Sequence, residues 1–165
     1  MALVGAINLS VSASLTSPLD LSTPRDPLLY QLAQTIADGA GADQANQMWH
    51  DTRTLSASAN DDLDLAGVLT NAFGATVTFA RVKFILVKNK STNAAAITVG
   101  PAPAQGVTNF LGTSDRLPPG AFMAMGLFDA AGWAITAGTA DKVRVSNTSG
   151  SVAATYDIIL IGAIT

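Results

Sequence analysis

Every one of the twelve acidic side chains in this 165-residue sequence is aspartate; glutamate is absent. Glutamate extends helices at little cost in side-chain freedom, whereas aspartate bonds nearby backbone and gathers at caps and turns. A chain that keeps valine, threonine, glycine and asparagine while dispensing with glutamate is poorly supplied for helices. Apolar residues make up 48% of it, which is enough for a real core and too much for a disordered chain. The length suits one domain over residues 1–165. An all-β fold is expected.

Periodicity points the same way. In Ala6–Ser12, Ile7, Leu9 and Val11 alternate with small or polar residues, so the three aliphatics share one sheet face. Thr78–Lys88 is the strongest strand, with Val82, Phe84 and Leu86 on one face. Its other face starts with Arg81 and Lys83 and turns apolar at Ile85 and Val87, the mark of a central strand covered at one end. Ala96–Val99, Ala121–Met125, Trp133–Thr136, Lys142–Val145 and Thr155–Ile161 are further strands. Between them, Asn71–Gly74, Leu117–Gly120 and Asn147–Gly150 carry the residues of tight turns. Short strands with frequent turns predict an antiparallel β-sandwich, jelly-roll-like, of about eight strands.

Residues 13–53 read differently, as an arm or loop-rich region. Ser17–Pro27 holds three prolines and is expected to be an extended arm or long loop. Leu29–Ile36 fits a strand or a short helix, and Ala37–Asp43 is a glycine-containing loop. Residues 1–53 carry five aspartates against two arginines, whereas residues 54–165 balance seven against seven. The whole net charge of −3 therefore sits in the amino-terminal third, which suits an arm lying over a partner or a solvated loop.

Several function classes are disfavoured at this stage. A mildly acidic chain has no broad attraction for nucleic acid or an anionic membrane surface. No apolar stretch approaches the ~20 residues of a membrane helix. Met1–Gly5 lack the basic and long apolar regions of a secretory signal, so no leader is expected. Without cysteine there is no disulfide, thiolate metal site or thiol nucleophile.

The remaining candidates each have a plain alternative. His50 is the single histidine, so any histidine-dependent catalysis must use it, yet no Gly-x-Ser-x-Gly elbow accompanies it. It reads as a polar surface or interface residue beside Trp49. Asp61, Asp62 and Asp64 form the densest acidic cluster and have the oxygen chemistry of a calcium site. They lack the spacing of an EF-hand loop, and a solvated strand edge is the simpler reading. Phosphate-cradling glycine loops are absent. Lys83 and Lys88 are read as a solvated face, with a neighbouring chain's aspartates as the alternative partners. Trp133, just after Gly132, is the one candidate for an exposed aromatic platform; the other aromatics read as core or interface. No cofactor is expected.

Several segments add a family likeness. Asp51–Gly67, Val87–Ala95, Pro118–Gly120, Gly132–Gly138 and Tyr156–Gly162 resemble stretches common in tailed-bacteriophage virion proteins. Small β-sandwich proteins of this kind are similar to capsid cement, or decoration, proteins. The resemblance implies no active site, a homo-oligomer with a trimer favoured, and the major capsid protein as partner. It also implies residence on the virion capsid surface after synthesis in the bacterial cytoplasm. Leu19, Leu21, Tyr30, Trp49 and His50 are the expected interface residues. The alternative is a tail- or fibre-associated module recognising host-surface glycan, which would use an exposed Trp133.

Overall fold

The computed structural model describes residues 2–164. Among them the chain forms strands and turns and no helix. The strands in order are β1 (Gly5–Thr16), β2 (Arg25–Asp38), β3 (Gln44–Ala45), β4 (Gln47–Leu55), β5 (Asn60–Asp64), β6 (Leu69–Thr70) and β7 (Thr76–Val77). They continue with β8 (Arg81–Asn89), β9 (Ile97–Pro101), β10 (Asp115–Leu117), β11 (Phe122–Gly126), β12 (Trp133–Ala134), β13 (Lys142–Asn147) and β14 (Ala154–Ala163).

Two larger antiparallel sheets carry the core. One runs β10-β9-β13-β5; the other runs β11-β8-β14-β4, with β12 also on β8. Alternation decides which side chains go inside. Along β14, Ala154, Tyr156, Ile158 and Leu160 are buried while the residues between them are half-buried. They meet Ile85 and Val87 of β8, Trp49 of β4, and Leu63, Ile97, Val99, Val143 and Val145 from the opposite sheet in one apolar cluster. β6 and β7 form a small ribbon that adds Leu69 and Val77 to that cluster.

β8 is interior, as its apolar composition predicts, but its two-sided burial has a local cause. The β14 ladder pairs Ile161 with Phe84 and Gly162 with Val82, so Lys83 is skipped as a bulge. Such an extra residue bends the strand and re-aims side chains. Gly162 sits at this step because a β-carbon there would strike the Arg81 carbonyl oxygen and crowd the Phe79 ring.

The amino-terminal third departs from expectation. Residues 13–53 are mostly strand rather than loop. β1 and β2 pair antiparallel from Gly5↔Ile36 to Thr16↔Arg25, closed by a turn at residues 17–24. That turn is held by Ser17 N–H donating to the Pro24 carbonyl (3.2 Å) and Leu19 N–H to the Ser22 carbonyl (2.8 Å). Pro27 lies within β2, at a position where the strand has only one neighbour and no second ladder needs its missing N–H. The strand reading of Leu29–Ile36 holds, and the helix alternative does not. The hairpin stands away from the body: apart from Ile7, Gln34 and Ile36 near its root, every residue in both strands from Gly5 to Ala37 is exposed.

Candidate functional site

The register of the hairpin sorts its side chains into two unlike faces. Residues 7, 9, 11, 13 and 15 of β1 stand opposite 34, 32, 30, 28 and 26 of β2. That face therefore presents Ile7, Leu9, Val11, Ala13 and Leu15 together with Leu32, Tyr30 and Leu28, with Gln34 and Asp26 as its polar members near root and tip, and Ile36 extends it at the root. The reverse face presents Asn8, Ser10, Ser12, Ser14 and Thr16 beside Thr35, Gln31 and Arg25, with Ala6, Ala33, Leu29 and Pro27 as its apolar members. Within the protomer nothing covers the apolar face beyond the root. Leu9, Val11, Leu15, Leu28, Tyr30 and Leu32 are all exposed, each keeping 43–74% of its surface open to water.

An isolated two-stranded ribbon is at best marginally stable in water, and it leaves two unpaired edges. A long amphipathic ribbon of this kind gains stability from a layer over its apolar face. The tip continues the pattern, since Leu19 is 61% exposed and Leu21 is 100% exposed.

The root is fixed to the body by polar contacts. β2 runs parallel to β3 through Ala37↔Gln44 and Asp38↔Ala45. Asn46 N–H donates to the Gly162 carbonyl at 3.0 Å, and Asp43 N–H to that of Phe128 at 2.8 Å. Lys83, 0% exposed, donates its ammonium to the backbone carbonyls of Ala40 and Gly41 in the loop after β2. Burial, and then the charge of Arg81, pull that ammonium below the usual lysine range. Lys83 thus pins the hairpin root rather than forming the solvated face expected of it.

A groove of about 810 Å³ lies at the same root. Its walls include Leu3, Ile7 and Ile36 from the hairpin side, Met48 and His50 of β4, Phe73, Phe84, and Ile159 and Ile161 of β14. These sheet residues lie on the side of the β8-β14-β4 layer opposite the core: Ile161 pairs with Met48 and Phe84, and Ile159 with His50 and Leu86.

The five expected interface residues separate accordingly. Leu19 and Leu21 form the hairpin tip, Tyr30 lies on its apolar face, and His50 lines the groove. Trp49 must be corrected: it is 3% exposed, faces the core, and donates its indole N–H to the Thr70 carbonyl at 3.2 Å. Neighbours in a strand point to opposite faces, so Trp49 and His50 cannot both serve one surface. Leu9, Val11, Leu28 and Leu32 were missing from the expected set. The alternation of Ile7, Leu9 and Val11 signalled their face, but an inward destination was the natural reading without the pairing partner.

The acidic cluster is engaged by its own chain. Asp61 accepts from Arg53 Nε at 2.5 Å and from the Tyr156 hydroxyl at 2.6 Å. Asp62 accepts a two-pronged Arg144 contact at 2.6 and 2.7 Å, which holds its carboxyl below the usual aspartate range. Asp64 turns back to the Ala66 N–H at 2.9 Å. Among the described residues no group of three or more histidine, aspartate or glutamate side chains is placed to hold a metal ion. Trp133 is half-buried and stacked on Phe110, with ring centroids 4.9 Å apart, so one of its faces is already occupied.

Compared with known protein families, with curated proteins and with solved structures, the chain matches none. What its fold and site define is an all-β chain of antiparallel sheets from which an amphipathic hairpin projects. Among the described residues no helix is long and apolar enough to cross a membrane.

Proposed function

We propose that this chain is a non-enzymatic capsid cement protein of a tailed bacteriophage, a jelly-roll-like β-sandwich that works as a homotrimer. In this reading it binds between copies of the major capsid protein on the outside of the head and braces the shell against internal pressure. The observation that carries the reading is the uncovered apolar face of the β1–β2 hairpin. A rigid body with a long projecting ribbon suits a protein whose task is to hold neighbours together, and the resemblance to phage virion proteins suits a place in the particle. A closed symmetric assembly uses one such patch repeatedly, so a single encoded hairpin serves every copy. The hairpin is also where the excess of apolar over charged residues becomes surface.

The test is assembly on phage heads. Leu19→Asp with Leu21→Asp places two charges on the exposed tip and leaves the core untouched. The double variant is expected to melt at the wild-type temperature, to form fewer trimers, and to lose binding to heads stripped of the protein, as seen by electron microscopy. Intact trimers and undiminished head binding from that variant would remove the hairpin from the proposed role.

A further inference from the structure

We infer that the groove at the hairpin root is the receptor for the hairpin tip of a neighbouring copy. This rests on the self-association proposed above and adds to it a second surface and a named occupant, the segment Ser17–Pro24.

Three observations carry it. First, the groove is apolar and open, and its floor is the outer face of the β8-β14-β4 layer at Met48, Phe84, Ile159 and Ile161. Phe73 stands at its rim, 79% exposed, with no apolar cover of its own. Second, the matching knob is on the same chain, since Leu19 and Leu21 project from the tip without a neighbour. Third, a chain cannot fill its own groove. Ile7 and Ile36 at the root line the groove, whereas the tip lies a full strand away. At ~3.4 Å per residue, the twelve residues of β1 set root and tip about 40 Å apart. The tip can therefore meet such a groove only in another copy. Each copy then gives one tip and receives one, a head-to-tail contact that closes into a ring when the rotation allows. The apolar stretch of the hairpin face, from Leu9 and Leu32 to Leu28 and Leu15, lies between root and tip, so a hairpin seated in this way also lays that stretch along its neighbour.

The chain has no cysteine of its own, so introduced pairs report contact cleanly. One tagged chain carries Leu21→Cys; a second, differently tagged, carries Met48→Cys or, in a parallel arm, Phe73→Cys. All three positions are exposed, and substitution there leaves the core intact. Because a disulfide needs β-carbons ~4 Å apart, mild oxidation of the mixed, refolded chains should join unlike chains in preference to like ones. A single chain bearing Leu21→Cys and Met48→Cys should give a covalent ladder that stops at the ring size. If light scattering finds an oligomer but Leu21→Cys joins only itself, or joins neither groove position, the tip-in-groove assignment is overturned while self-association stands. If the wild-type chain is a single copy in solution, the self-association reading falls and this inference falls with it.

Discussion

Asp61 shows how one carboxylate ties three strands of this protein together. It sits on β5, takes a hydrogen bond from Tyr156 of β14 and is held by Arg53 of β4, so it joins the two principal sheets at one end. Burial, and then the bond to Asp61, push the Tyr156 hydroxyl above its usual value of 10.0. The folded state therefore keeps a proton that the unfolded chain releases above about pH 10. The stability from this contact is complete below that pH and is lost as the pH rises further. Tyr156→Phe should cost about 1.5 kcal/mol at neutral pH, and its melting temperature should approach that of the wild type as the pH passes 10; thermal melts of both proteins across pH 7–11 measure the gap. Trp49 belongs to the same scale. Trp49→Ala empties a core position and should cost about 3–5 kcal/mol in denaturant unfolding, a loss too large for an exposed contact residue.

At the scale of elements, the bulge at Lys83 and the hairpin root form one device. The buried ammonium opposes folding in its charged form, while its bonds to Ala40 and Gly41 hold the loop that orients the hairpin. Apolar replacement of a whole buried ion pair is often neutral or stabilising, but taking away one partner leaves the other unsatisfied. Lys83→Met, which strips the Ala40 and Gly41 carbonyls of their donor, should therefore lower stability by about 1–3 kcal/mol, and the amides of Asp43 and Gln44 should exchange with solvent faster, as hydrogen exchange would report. The elements themselves were largely legible in the sequence. β8, β9, β11, β13 and β14 follow from two-residue alternation, and the turns read at Asn71–Gly74 and Leu117–Gly120 from glycine and proline chemistry, the second closing one residue later through the Ala121 N–H to Pro118 carbonyl bond. The bulge was not, because alternation gives no sign that one ladder skips a residue. The hairpin was half legible. Ile7, Leu9, Val11 and the strand through Tyr30 were readable one by one, but the three prolines of Ser17–Pro27 read as a break running past Arg25, although Pro27 is tolerated where only one neighbour pairs. For the candidate site, the pattern marked Leu19, Leu21 and Tyr30, while Trp49 was misplaced because composition cannot say which side of an edge strand faces the core.

The whole molecule divides into a body with a closed core and an appendage without one. In the body, the aliphatic rows of the two main sheets meet in one cluster, and the polar groups of Asn89 and Asn147 are satisfied by backbone carbonyls. In the hairpin, the same alternation produces an apolar row with no layer above it. In the proposed assembly, copies of this chain cover that row for one another. Leu9 and Leu32 stand opposite each other in its middle, and Leu9→Thr with Leu32→Thr removes apolar area while keeping residues that suit a strand. Gel filtration with light scattering on the wild type and this variant tests the claim most directly. Three copies per particle are expected for the wild type, and single copies, with unchanged thermal stability of the body, for the variant. A wild type that stays a single copy at high concentration, or a variant that assembles as well as its parent, would contradict it.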